Sequence, residues 1–561
     1  MLCRANGMRY LACVRDRASR VAKALAVVAL LLATTAIPQN TPQSSQTPQS
    51  PEVRVATRLV QVNVLVHDKN GPVADLTKDD FTLLDQGKPQ KISVFSMESS
   101  AAGSQNAQPL PQNTFSDLPQ YGASALRSVT IVLLDNLNTL VGNGHEEFQS
   151  DPFWIEDSAL GNAKAQLIEF IRNLDPKDRV AIYGLSDTLH VLCDFTGDRE
   201  RLLTILEKYD TSSRTRRESV EPGRTRTPVP GEFNPDLDMQ ALASAGMENQ
   251  RRSEETMAAL QAIAGHVANI PGRKNLVWLT GNLPFSGTAI ARILSPAQIA
   301  AYPVDGRALL SRAPLTSEDA LLDAKGVSQG NFMPAQAPMP IGIDTMRQMA
   351  RETGGLAFVN TNDLTGAIRK AVEDSAVIYT LGFYLEKNAL DGKFHELKVQ
   401  VNRPGLNVRY PNGYYALKDT PASAGELHSS FLSAILSPLD SSSIPVQVKA
   451  TRVDRPTPKS LSLFGTIGIQ DIHLAQSGEM RMGAVDIIII QQDETGKVLR
   501  ESTNRLELRF TAEKYAAILK TGINFNKTVQ PEAATVTLRV IVQDPSTAIL
   551  GSLIIPLSQI Q

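Results

Sequence analysis

At 561 residues the chain has room for three or four domains, and 42% hydrophobic with 20% charged residues is an ordinary globular balance. A formal net charge of −2 provides no overall basic footprint, which argues against a protein that binds nucleic acid through its global charge. Three cysteines in this length exclude a disulfide-dense scaffold.

The chain opens with Arg4, Arg9, Arg15, Arg17, Arg20 and Lys23, then the apolar run ALAVVALLLA, then Thr34-Thr35-Ala36. A basic region, a short apolar core and small residues are the layout of a secretory signal over 1–36. The apolar run falls short of the roughly 20 residues that a spanning helix needs. The expectation is an exported chain, periplasmic or extracellular, with no stable membrane span after signal cleavage. Cys3 and Cys13 leave with the signal, so Cys193 remains without an intramolecular partner.

Residues 37–52 are rich in Pro, Gln, Ser and Thr and read as a linker. Residues 53–97 read as a β-unit. Val60, Val62, Val64 and Val66 alternate with less apolar positions, Asp68-Lys69-Asn70-Gly71 is a turn, and Phe81–Leu84 and Ile92–Phe95 follow as strands. So few strands do not make a stable body, and the hairpin at 386–416 is expected to complete it. Residues 98–126 read as a second linker.

Residues 127–385 alternate strand-like and helix-like patterns. Val129–Leu134 is a near-continuous apolar strand, and Leu167, Phe170, Ile171 and Leu174 follow at helical spacing. Arg179–Leu185, Asn275–Thr280, Ile299–Val304 and Ala376–Leu385 read as further strands. Met346, Met349 and Ala350 mark a helix stopped at Gly354-Gly355. Residues 210–252 and 312–340 lack apolar period and read as inserted loops. Residues 417–443 read as a linker with a short helix, and 444–561 as a C-terminal β-sandwich. The fold class expected is α/β, a doubly wound and mostly parallel Rossmann-type sheet flanked by small β-sandwich domains.

Several stretches occur in one order along 53–416: VNVLVHDKNGPVADLTKDDFTLLDQGKPQKISVFS, TIVLLDNLNTL, LDPKDRVAIYGLSDTLHVLCDFTGD, IPGRKNLVWLTGN, IAAYPVDGRAL and ARETGGLAFVNTNDLTGAI. Together they resemble the acidobacterial VWFA-related domain family, and the chain beyond 416 lies outside the resemblance. The resemblance implies a von Willebrand A-like domain with a metal-ion-dependent adhesion site at the C-terminal edge of its sheet. Such a site takes Asp-x-Ser-x-Ser after the first strand, a Thr from a second loop and an Asp from a third. These are hard oxygen ligands suited to Mg²⁺, with an acidic group of the ligand completing the shell.

Here the motif is incomplete. Asp135 matches the first Asp, Leu137 stands where the first Ser belongs, and Thr139 stands at the second. Asn138 adds an oxygen nearby, and Thr196 matches the loop Thr. Thr280-Gly281-Asn282 has no Asp where the third ligand belongs. The candidate metal residues are therefore Asp135, Asn138, Thr139 and Thr196, a degenerate site for weak, ligand-assisted Mg²⁺, with no cofactor firmly implied. Against this stands a structural reading, in which Asp135 and Asn138 cap the strand-to-helix turn.

The resemblance implies an exported module for protein–protein or cell-envelope interactions, and it does not name the ligand. A metal-independent extracytoplasmic scaffold is the alternative. A third reading is a haloacid dehalogenase-like phosphatase, because Asp135 and Thr139 fit the spacing Asp-x-Asp-x-Thr. Leu137 replaces its general acid and transfers no proton. Seven scattered histidines without metal-ligand spacing, and no Gly-x-Ser-x-Gly, point to no catalytic residue. The chain is expected not to be an enzyme. Five arginines between Arg214 and Arg226 form either a solvated loop or an anion- or partner-binding arm.

Overall fold

The computed structural model describes residues 59–99, 110–118, 129–139, 164–175, 178–209, 235–270, 272–281, 283, 285–305, 342–359, 361, 363–385, 390–416, 421–453 and 460–561. The signal at 1–36, the linker at 37–52, residues 210–234 with their arginines and the insertion at 312–340 lie outside these.

The first body is β throughout. The strand Leu59–Asp68 buries Val60, Val62, Val64 and Val66 and sits inside an antiparallel sheet. On one side it pairs with Asn407–Arg409, on the other with Val377–Tyr384, and Val94–Ser99 follows at the edge. A second sheet sets Phe81–Asp85 against Phe394–Val401, with Leu83 opposite Val399. Phe81, Leu83, Leu397 and Val399 of one sheet share a core with Val62, Val64, Tyr379 and Leu381 of the other. Segments from before and after the middle of the chain thus build one core. Val377–Tyr384 was expected to end the parallel sheet and instead belongs here. Its run VIYTLGFY is apolar at both parities, and such a run does not declare which sheet it joins.

The middle body holds a five-stranded sheet in the order Ile299–Asp305, Lys274–Thr280, Val129–Asp135, Val180–Leu185, Leu189–Thr196. The first four strands run parallel, and the fifth turns back antiparallel. Val129–Asp135 and Lys274–Thr280 are buried along their whole length, because helices cover both faces. One face packs on the helices Pro235–Val267, Gly287–Leu294 and Ile343–Thr353. The other packs on residues 164–172 and the helices Arg199–Lys208 and Leu364–Glu373.

The expected fold class is corrected by the chain as a whole. The described residues are mostly β, in five sheets of which four are wholly antiparallel. Parallel pairing is confined to one sheet, and even that sheet has an antiparallel edge. A doubly wound Rossmann-type α/β class does not describe it. Continuous apolar strands are conspicuous in sequence, whereas the short alternating strands that outnumber them are not.

The helix Ile343–Thr353 ends as its sequence suggests, with Gly354 left-handed at φ 76°. Gly355 then passes so close to the sheet that a Cβ there would stand 1.8 Å from the Ala301 carbonyl oxygen. Gly355→Ala is expected to cost about 1–3 kcal/mol by overpacking against backbone. Gly246→Ala, at an exposed helical position with nothing within 4 Å, is the control and should stabilise slightly. Paired thermal melts check this.

The C-terminal body packs a six-stranded sheet on a four-stranded one. Val485, Ile487, Val540 and Ile555 of the first meet Val448, Leu461, Leu463 and Phe525 of the second. Thr114–Ser116, read as linker, is an edge strand of this body and pairs with Val446–Val453. Both oxygens of the buried Asp117 accept the Val446 N–H, at 3.0 and 2.9 Å. Ala424–Leu436 is a helix opened by a Ser423/Glu426 capping box, and it lays Phe431, Ala434 and Ile435 on Ile488, Ile490 and Ile541. No helix among the described residues is long and apolar enough to cross a membrane.

Candidate functional site

Asp135 is the last residue of the central strand Val129–Asp135 and lies at the C-terminal edge of the mixed sheet. The parallel register aligns Leu279 with Leu134, so Thr280 stands beside Asp135 on the neighbouring strand. Trp278 and Thr280 are two apart and share the face that the Pro235–Val267 helix covers. Asn136–Thr139 follows Asp135 as a single helical turn.

The Asp135 carboxylate is fully buried and densely bonded. Its Oδ1 accepts the Asn138 backbone N–H at 2.9 Å. Its Oδ2 accepts Asn138 Nδ2 at 2.9 Å, the Trp278 indole N–H at 3.0 Å and the Thr280 hydroxyl at 2.8 Å. Asn138 Nδ2 also donates to Thr256 Oγ1 at 2.9 Å, and Asn138 Oδ1 accepts Arg252 Nη2 at 3.0 Å. Thr256 donates onward to the Arg252 carbonyl at 2.7 Å. Burial pushes the Asp135 carboxyl up from its ordinary value, against the pull of the Asn138, Thr280 and Trp278 bonds. Burial likewise draws the Arg252 guanidinium down, and the negative charge of Asp135 opposes that.

Of the candidate metal residues the structure joins Asp135 and Asn138. Thr139 ends the turn that carries Asn138, and its side chain lies outside the described residues. Thr196 is not brought to them. It pairs with Val180, which pairs with Thr130, five residues back along the strand from Asp135. At about 3.3 Å per residue the two are offset by some 16 Å along the strands, at opposite ends of the sheet. Thr196 Oγ1 instead accepts the Asp198 N–H at 3.1 Å, at the entry to the Arg199–Lys208 helix.

A divalent ion needs oxygen lone pairs turned towards it. Around Asp135 the groups turned towards the carboxylate are donors, and the Asn138 amide oxygen is taken by a guanidinium. Among the described residues no group of three or more His, Cys, Asp or Glu side chains is placed to hold a metal. As placed, the described side chains Asp135 and Asn138 turn towards donors rather than towards a site for Mg²⁺.

No family model matches the chain, and no curated protein matches it. Among solved structures, an aerotolerance-related membrane protein from Bacteroides fragilis is similar at 11% identity, over 44% of this chain and 98% of that one, with a TM-score of 0.24. The conserved hypothetical protein BatB from Bacteroides thetaiotaomicron is similar at 11% identity, over 45% and 99%, with a TM-score of 0.25. Proximal thread matrix protein 1 from the mussel byssus is similar at 9% identity, over 45% and 48%, with a TM-score of 0.24. Scores this low support no inference about what this chain does.

Four residues of the cluster were not singled out from sequence: Arg252, Thr256, Trp278 and Thr280. Thr280 was noted only for the Asp it is not. Arg252 fell inside a segment read as an inserted loop, yet residues 235–252 are the first half of the helix Pro235–Val267. That stretch has little amphipathic period but is full of Ala, Met, Gln, Glu and Arg. Helix propensity was the signal there.

Proposed function

We propose that this chain is an exported binding scaffold whose sheet-edge aspartate is a structural hub rather than a metal ligand. The observation that carries the reading is the saturation of Asp135. Asn138, Trp278 and Thr280 donate to its carboxylate, and Arg252 brings a guanidinium to the Asn138 oxygen. A fixed protein cation near the carboxylate supplies positive charge where the VWFA resemblance implies a metal. The same burial argues against a phosphatase, because a nucleophilic carboxylate must present an oxygen to its substrate. The basic and apolar leader supports export. The β bodies on either side of the mixed sheet supply the surface for a protein or cell-envelope partner.

The test is capture of partners from the cell-envelope fraction by the full chain, with Mg²⁺ and with a chelator. The reading expects the same partners in the same amounts under both conditions. Partners that bind only with Mg²⁺, and are lost with Asp135→Ala, would restore the metal site and overturn it.

A further inference from the structure

The Pro235–Val267 helix ends against the C-terminal body, and His266 near that end is 5% exposed. Its ring stacks on Phe195, with centroids 6.0 Å apart and planes 3° from parallel. Nδ1 lies 2.8 Å from the backbone oxygen of Asp440, and Nε2 lies 3.2 Å from Asp194 Oδ1. A carbonyl oxygen only accepts. Asp194 Oδ1 already accepts the Tyr183 hydroxyl at 2.9 Å, as an ionised carboxylate does. Both ring nitrogens therefore face acceptors, and only the doubly protonated ring donates to both. Asp440 meanwhile accepts the Ile554 N–H at 2.8 Å, so it reaches from the helix into the C-terminal sheet.

We propose that His266 is a proton-operated latch between the mixed-sheet body and the C-terminal body. As imidazolium it ties the Asp440 carbonyl to the Asp194 carboxylate, and as neutral imidazole it releases one of the two.

The groups facing the latch are Asp194 and Tyr183 from neighbouring strands and Asp440 from the connecting segment. Behind Asp440 stand Arg539 of the strand Thr537–Gln543 and Asp117 beside Val446. Burial draws the His266 ring down, but the bond and charge of Asp194, with Asp440, outweigh it and leave the ring above its ordinary value. A raised histidine gives stability that is whole below about 6.5 and is lost as pH rises through its folded value. Burial pushes Asp440 up to about 6, so its ionisation acts lower, between its ordinary 3.8 and that value, and with the same sign. Burial is the largest single influence on Asp194 and opposes its ionised form, but the bond and charge of His266, with the Phe195 N–H and the Tyr183 hydroxyl, together outweigh it and keep the carboxyl below its ordinary value. When the latch opens the bodies stay joined. Ser442 still donates to the His266 carbonyl at 2.8 Å, and the Asn269 side chain still donates to the Ser442 carbonyl.

The experiment is hydrogen exchange of the intact chain between about pH 6 and about pH 9, corrected for intrinsic rates, read at the amides of 266–270 and 439–443. Protection is expected to fall roughly tenfold across the window, as suits one charge-assisted bond. His266→Gln should flatten the profile. Asp194→Asn, at a surface-accessible position, should move the midpoint to lower pH, and it keeps the test open if the first variant fails to fold. Flat protection in the wild type, or a midpoint that Asp194→Asn leaves in place, overturns the latch.

Discussion

Asp374→Ala is expected to destabilise the protein by about 3–5 kcal/mol, the usual consequence of removing one partner from a buried charge cluster. Asp374 follows the Leu364–Glu373 helix and is fully buried where the mixed sheet meets the first β body. It accepts the Tyr302 hydroxyl at 2.7 Å and the Arg409 guanidinium, and Lys370 Nζ stands 3.5 Å away. Burial pushes the Tyr302 hydroxyl up to about 12, so it stays a donor. Tyr302 also accepts Arg273 Nη2 at 3.1 Å, and the same guanidinium donates to the Gly354 carbonyl at 2.6 Å. One carboxylate thus balances Arg409 of a strand in the first β body and Lys370 of its own helix. Burial keeps His67, 3.8 Å away, below its ordinary value, so it adds little charge near neutrality. In the variant Arg409 loses the charge that holds it, and the first β body loses a buried ionic tie to the middle body. Calorimetry should show an earlier transition. The pair replacement Asp374→Leu with Arg409→Met should recover part of the loss, because a packed apolar pair avoids the desolvation of both charges while the Tyr302 hydroxyl still lacks its acceptor. A single variant that melts with the wild type would mean that the Asp374–Arg409 pair contributes nothing to holding the two bodies together.

Asp135→Ala is expected to be comparably damaging, again about 3–5 kcal/mol, through stranded donors rather than lost attraction. Alanine leaves the Trp278 indole N–H, the Thr280 hydroxyl and the Asn138 amide buried without their acceptor. It also leaves the Arg252 guanidinium without the negative charge beside it. Asp135→Asn keeps one acceptor oxygen but turns an amide towards the remaining donors, so about half the loss is expected. Urea unfolding followed by tryptophan fluorescence in a Trp154→Phe background, where Trp278 alone reports, reads the hub. An alanine variant within 1 kcal/mol of the wild type would show that the hub relaxes around the gap.

Much of the path was readable where pattern and burial agree. Val129–Asp135 declares itself as a buried strand, and Leu59–Asp68 declares a one-sided one by its alternating valines. Gly354 marks its helix end. What failed to show depends on pairing partners distant in sequence. Thr196 is the exception, because only three residues separate Val180–Leu185 from Leu189–Thr196, and so short a connection returns the chain antiparallel and carries Thr196 to the far end of the sheet. Val377–Tyr384 looked like a parallel strand for want of any signal naming its neighbour. Thr114–Ser116 is too short and polar to read as a strand until Val446–Val453 is beside it. At the site, Asp135 and Asn138 were found by their place after an apolar strand. The donors that redefine them come from Trp278 and Thr280 on the adjacent strand and from Arg252 and Thr256 on a helix more than a hundred residues away. Their convergence is a product of the fold.

If four donated bonds and a nearby protein cation satisfy Asp135, Mg²⁺ adds nothing to the folded state. The most direct test is the melting temperature of the intact chain in chelator and in millimolar Mg²⁺, for the wild type and Asp135→Ala. A metal that binds only the folded state must raise it by mass action. The expected result is superimposable melts for each protein in the two buffers, with the variant melting lower in both. A Mg²⁺-dependent rise in the wild type that Asp135→Ala abolishes would contradict the account.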